Sequence, residues 1–136
     1  MKKALCLSLV CLLFVSLMAC GNPHGTSYKM SEDHYAVGKD ALDVVESYLL
    51  GRIEFAQAKA RLEPIRARLD ALPAVPEEDP LYEGSDRVLL FVGSLCTTFE
   101  RVTGENYQAG FRDGVARTYR ALASLLGEEP AELPVD

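Results

Sequence analysis

The sequence has few of the residues and motifs on which most catalytic and cofactor sites depend. Among 136 residues there are two histidines, His24 and His34, and neither can be placed against a distant serine or cysteine to predict a hydrolytic triad. It has no Cys-x-x-Cys-His motif for covalent haem and no glycine-rich phosphate loop after a strand. We therefore expect no catalytic residues, no cofactor and no bound metal.

Two acidic clusters are candidates for a weak cation site, and we interpret both as solvated surface. Glu32, Asp33 and His34 are consecutive, so on a helix their side chains point in different directions. Their acidic character suits the start of a helix. Residues 77–79 (EED) lack the spaced oxygen ligands of a dedicated calcium loop.

Basic residues are outnumbered, 14 Lys and Arg against 20 Asp and Glu, for a formal net charge of −6. Binding to nucleic acid or to anionic lipid through a basic patch needs clustered cations, so we expect neither. Six arginines could line a groove for an anionic ligand: Arg61, Arg66, Arg68, Arg112, Arg117 and Arg120. We interpret most of them as solvated, because Asp113 lies four residues before Arg117 and Asp70 four after Arg66.

Long apolar runs are absent after residue 20, whereas one fills the N-terminus. Lys2 and Lys3 precede the uncharged run from Ala4 to Ala19, whose 16 residues fall short of a typical membrane-spanning helix. This pattern predicts an export signal over residues 1–19. A transmembrane anchor and an ordinary secretory signal that happens to end in cysteine are the alternatives.

The end of this run, Leu17-Met18-Ala19-Cys20-Gly21, resembles the lipobox of bacterial lipoproteins. The resemblance implies that the Cys20 thiol takes a diacylglycerol thioether and that the signal is then cut before it. The mature chain of 117 residues would be tethered to a membrane of the cell envelope on its non-cytoplasmic side. Which membrane this is stays open.

The remaining cysteines fit this interpretation. Cys6 and Cys11 lie inside the predicted signal, so acylation of Cys20 would leave Cys96 without a partner. Cys96 falls between Leu95 and Phe99 on an apolar helical stripe, which predicts a small buried hydrophobe. A reactive thiol or an intermolecular disulfide is the alternative.

The mature chain should form a flexible tether over residues 20–31, a helical domain over residues 32–126 and an acidic disordered tail over residues 127–136. In the domain, apolar residues recur at spacings of three and four in four segments, separated by Gly51, residues 73–80 and Gly104. The fold class predicted is all-α, an antiparallel four-helix bundle made of two helical hairpins. The 73–80 link permits either a neighbouring or a diagonal step.

Individual segments carry finer expectations. Gly51 should be a left-handed C-cap, and Pro64 should kink the second helix near Leu62 without ending it. The third helix should be the most buried, because residues 89–91 add Leu-Leu-Phe to its core stripe. The fourth should place Tyr107, Phe111, Val115, Thr118, Leu122 and Leu125 on one side.

Gly110 and Gly114 form a Gly-x-x-x-Gly ridge beside Phe111 and Val115. Each glycine costs about 1 kcal/mol relative to alanine within a helix, so the pair indicates close approach by another group. We expect a neighbouring helix of the same chain to pack there. A groove for a partner or for self-association is the alternative.

Two functions remain in view. The first is a non-catalytic interaction or scaffold module that binds another envelope protein. The second is a sensor that holds a small ligand or an ion in or beside the bundle. A solid core with an exposed apolar patch would favour the first, and a cavity lined by Tyr or Arg would favour the second.

Overall fold

The computed structural model describes residues 27–102 and 110–134. Within these ranges the segments with periodic apolar residues form four helices. The helices are α1 (Glu32–Leu49), α2 (Phe55–Asp70), α3 (Tyr82–Arg101) and α4 (Phe111–Leu126), and these described ranges contain no strand. Each helix packs against its neighbours in chain order around a square, and α1 also contacts α3 across it. The all-α four-helix bundle is thus confirmed, and the link after α2 makes a neighbouring step.

Local signals explain where several helices begin and end. Ser31 caps α1, because its hydroxyl accepts a hydrogen bond from the His34 backbone N–H at 3.2 Å. Gly51 follows α1 with φ of 70°, the left-handed conformation expected of it. The second helix runs unbroken through Pro64, so the proline does not end it.

The core is formed by the apolar stripes of all four helices. In α2, Ala58, Leu62, Ile65 and Leu69 are buried as the spacing predicts. The largest fully buried side chain is Tyr119, which takes the core position on α4 expected for Thr118. Four rings close one end of the bundle with centroids 5.3 to 6.4 Å apart, those of Tyr48, Phe55, Phe99 and Phe111.

The expectation that α3 is the most buried helix was wrong. Leu89 is 48% exposed and Leu90 is 63% exposed, and they are the large hydrophobic side chains most open to solvent in the described ranges. A helix at one corner of a square turns only part of its circumference to its neighbours, and Val88, Val92 and Leu95 already fill that part.

The end of the expected tether packs against the bundle. Met30 is buried, and the Arg87 guanidinium lies over the Tyr28 ring at 4.6 Å from its centroid. A Cβ on Gly84 would overlap the Lys29 carbonyl, so this glycine allows the incoming backbone to touch α3. Residues 28–30 therefore belong to the folded domain.

Residues 128–134 also lie on the bundle, where the sequence predicts a frayed tail. Tyr35 donates to Glu128 at 3.0 Å, and the Ala131 N–H donates to the Tyr119 hydroxyl at 2.9 Å. Leu133 packs against the core. These contacts lead the tail back along the groove between α1 and α4, and we call residues 128–134 the C-terminal strap.

Candidate functional site

Cys20, the predicted lipid attachment site, lies outside the described residues, as do His24 and Tyr107. Within the described ranges, none of the helices has the length and apolarity needed to cross a membrane. Because Cys20 is outside the described residues, lipid attachment stays a prediction from the sequence motif.

Gly110 and Gly114 do not form a packing ridge within the described part of the bundle. Gly110 precedes α4 with φ of 93° and is exposed, so it is a turn residue and not a helical one. A Cβ added to Gly114 would meet no atom within 4 Å. The close contact expected from the motif occurs instead at Gly38, where a Cβ would lie 3.2 Å from Leu126 Cδ2 and 3.3 Å from Val88 Cγ1.

Cys96 is a buried hydrophobe, as predicted. It is 1% exposed, and burial raises the pKa of its thiol to about 11, so the thiolate is scarce at neutral pH. Its Sγ lies 3.9 Å from the Leu62 carbonyl oxygen. It also lines an open cleft of about 350 Å³ between α2 and α3.

The two acidic clusters lie mostly on the surface, and one residue of them, Asp79, helps to form a turn. Glu32 and Asp33 are exposed whereas His34 is buried, and the described residues contain no group of three His, Cys, Asp or Glu side chains placed to hold a metal. Asp79 accepts a hydrogen bond from the Leu81 N–H at 2.8 Å just before α3. It thereby helps to form the turn that starts this helix.

His34 is the buried titratable side chain at the end of the bundle where the N-terminal segment enters. Its Nδ1 lies 2.6 Å from the Ser31 hydroxyl, and the Ser31 N–H donates to the Ser85 hydroxyl at 3.0 Å. Burial lowers the pKa of His34, opposed by the nearby Asp33 carboxylate. This network fixes the start of α1 against the start of α3.

An exposed apolar surface lies at the same end of the bundle. Leu89 borders a shallow cleft of about 290 Å³ whose lining includes Leu69, Leu72, Pro73, Val75 and Tyr82. His34 and Ser85 also line it, and Leu90, the next residue of α3 after Leu89, is exposed. We call Leu89, Leu90 and this cleft the leucine surface.

Asp86 gives the leucine surface a charged edge. It lines the cleft, is exposed, and has no hydrogen-bond or ion-pair partner among the described residues. Its charge raises the pKa of the Tyr82 hydroxyl. Asp70 also lines the cleft, but Arg66 neutralises it through a contact of 3.0 Å, the pair predicted from their spacing.

A second, wider cleft of about 600 Å³ lies between the end of α1, the face of α4 and the C-terminal strap. We call it the arginine cleft, because Arg112, Arg117 and Arg120 line it together with Asp113. Its apolar lining comes from Leu49, Ala116, Leu133 and Pro134. The Arg112 guanidinium donates to the Leu49 carbonyl at 2.6 Å and so caps the end of α1.

The expected ion pair between Asp113 and Arg117 does not form, and neither Arg117 nor Arg120 has a partner among the described residues. Sequence spacing identified these arginines but not their convergence. One side of the cleft, which the C-terminal strap supplies, was not predicted, because Leu133 falls in the tail that was expected to be disordered. A leucine and a proline within that acidic tail were the signal that it could pack.

No protein-family model, curated protein or solved structure is detectably similar to this chain. Its function must therefore be inferred from its own residues.

Proposed function

We propose that this chain is a small lipoprotein of the bacterial cell envelope, anchored through lipid on Cys20. Its helical domain is a non-catalytic module that binds another envelope protein through the leucine surface. The lipid fixes where the domain works, and the leucine surface selects what it binds.

The resemblance of residues 17–21 to a lipobox supports the anchor. The packing of Tyr28 and Met30 beside Arg87 and Gly84 adds a geometric argument. This contact makes the chain that leads back to Cys20 leave from the end of the bundle that carries the leucine surface. A protein in or on the same membrane is then the partner within reach.

The exposure of Leu89 and Leu90 is the observation that carries the interaction role. Side chains that pack this core are nearly all below 10% exposure, so two adjacent leucines at 48% and 63% are unlike the rest of the apolar stripe. Covering what remains exposed of both would stabilise a complex by on the order of 2 kcal/mol.

The negative charge of Asp86 indicates what kind of side chain the partner presents. Asp86 is an exposed carboxylate without a described partner at the edge of the cleft. The surface therefore suits a protein that presents an apolar side chain next to a lysine or arginine. A second copy of this chain would bring its own Asp86 to a symmetric contact and is disfavoured.

Metabolic labelling tests the anchor. The full chain, expressed in a bacterium supplied with an alkyne-bearing fatty acid, should be labelled, and Cys20→Ser should not. Cys96→Ser is the matched control and should label like the wild type, because Cys96 is buried in the core. Equal labelling of the wild type and Cys20→Ser would overturn the lipid anchor.

Photo-crosslinking tests the interaction. A benzophenone amino acid at position 90 should capture one discrete envelope protein in the native membrane, and Leu89→Asp or Asp86→Lys in the same chain should abolish the product. The same probe at exposed Ser124 on α4 is the control and should not capture that protein. A product that persists in both variants, or that appears equally from position 124, would contradict the leucine surface as the binding site.

A further inference from the structure

The lining of the arginine cleft is positively charged, whereas the whole chain has a negative net charge. The whole chain carries −6, yet three arginines and one aspartate line this single depression and give it a local charge of +2. Three arginines outside the cleft pair with carboxylates: Arg66 with Asp70, Arg68 with Asp40 and Arg87 with Glu83. The one lining carboxylate, Asp113, forms no ion pair with these arginines among the described residues, so their charge is available to an anion from outside.

Two of these arginines have no partner among the residues that the structure describes. Arg112 is held by the Leu49 carbonyl, so it has a structural role at the end of α1. Arg117 and Arg120, three residues apart on one face of α4, have no hydrogen bond or ion pair with any described residue. Guanidinium groups at this spacing can both reach one phosphate or carboxylate group and can bind it through paired N–H donors.

The apolar lining of the cleft indicates which kind of molecule would carry the anionic group. Leu49, Ala116 and Leu133 supply an apolar lining beside the guanidinium groups. A volume of about 600 Å³ falls within the range of small-molecule sites. An inorganic ion would leave that apolar lining uncovered, whereas an organic anion with a few carbon atoms would cover it.

From these observations we propose that the arginine cleft binds a small organic anion, with its phosphate or carboxylate group on Arg117 and Arg120 and its apolar part against Leu49 and Leu133. The site is distinct from the leucine surface and does not depend on lipid attachment. Because the strap supplies Leu133, ligand binding and strap docking should stabilise each other.

The test is a calorimetric titration of the full chain in neutral detergent with phenyl phosphate, phenylacetate and the uncharged phenylacetamide. We expect the two anions to bind saturably and the amide not to bind. Replacing both arginines, Arg117→Gln with Arg120→Gln, should weaken anion binding at least about tenfold. Stronger binding of phenyl phosphate identifies a phosphate ligand, and equal or stronger binding of phenylacetate identifies a carboxylate ligand.

The matched control removes the same charge elsewhere. Arg61→Gln with Arg101→Gln alters two exposed arginines that do not line the cleft and should change affinity less than twofold. Arg117→Lys with Arg120→Lys keeps the charge and should retain measurable binding, which separates loss of charge from loss of folding. The proposal is overturned if neither anion binds at millimolar concentration, if phenylacetamide binds equally, or if the control pair loses as much affinity.

Discussion

At the scale of single residues, the Gly-x-x-x-Gly motif did not identify the glycines that allow close packing. Gly38 and Gly84 lie far apart in sequence and belong to no motif, yet each allows a close approach, to Leu126 and to the Lys29 carbonyl respectively. Gly114 faces open space among the described residues. Spacing along a helix fixes which residues share a face but not which face meets a neighbour.

The two glycines of the motif should therefore respond oppositely to alanine. Gly114→Ala should keep or raise the free energy of unfolding, by up to about 1 kcal/mol, because helix propensity improves and no neighbour is displaced. Gly110→Ala should lower it by about 1 kcal/mol or more, because φ of 93° strains any side chain. Urea midpoints of the two single variants measure this, and a lowered midpoint for Gly114→Ala would restore a packing role to the ridge.

His34 should make stability depend on pH. Burial lowers its pKa below 6.5, so the folded state favours the neutral ring more than the unfolded state does. This contribution to stability is complete above pH 6.5 and is lost as the pH falls towards and through the lowered value. Unfolding free energies at pH 7.5 and pH 5 should differ more for the wild type than for His34→Gln. An equal difference would mean that only carboxylates titrate.

At the scale of elements, the Tyr119 hydroxyl links the C-terminal strap to two helices. Tyr119 donates to Glu46 at 2.7 Å and accepts from the Ala131 N–H at 2.9 Å, so α4, α1 and the strap meet at a single atom. Burial and the Glu46 carboxylate both raise the pKa of this hydroxyl, which keeps it protonated and able to donate.

Tyr119→Phe should lower the free energy of unfolding by about 1 to 3 kcal/mol, because it leaves the Ala131 N–H and Glu46 without this partner. It should also speed proteolytic removal of residues 128–134. Tyr82→Phe is the matched control, since no described residue is hydrogen-bonded to that hydroxyl, and it should have little effect. Unchanged stability and proteolysis in Tyr119→Phe would mean that Leu133 and the contacts of Glu128 are enough to hold the strap.

The elements differ in how far their sequences predict them. In α2 the spacing of Leu62, Ile65 and Leu69 predicts both the helix and its buried face, because local periodicity and packing agree. In α3 the apolar run at residues 89–91 led to a wrong prediction of burial, because apolar character does not show which face of a helix remains exposed in a bundle. The strap and the docked segment at Tyr28 lack periodicity altogether, and only tertiary contacts define them.

At the scale of the whole molecule, all four helices share a single core. The square arrangement and the contact of α1 with α3 join the buried residues of all four helices in one cluster. Damage at any buried position should therefore be felt throughout the bundle.

Leu62→Asp and Val92→Asp should each destabilise the fold severely, by about 4 kcal/mol or more, since each places an unpaired charge at a site 2% or 0% exposed. Leu90→Asp makes a comparable change on the exposed face of α3 and should alter stability by less than about 1 kcal/mol. Thermal unfolding followed by circular dichroism distinguishes these outcomes. Severe loss in Leu90→Asp would show that the leucine surface supports the fold.

The docking of Tyr28 and Met30 shortens the distance between the domain and its proposed anchor. Eight residues, counting Cys20 and Ser27, separate the Cys20 attachment point from the packed segment, and a chain of that length spans at most about 29 Å. In a lipid-bound copy, the distance between the membrane surface and the start of the domain would thus be less than the length of α3, the longest described helix. Confinement of this kind raises the effective concentration of membrane-bound partners, so a contact as small as two leucines and one aspartate could be occupied without high intrinsic affinity.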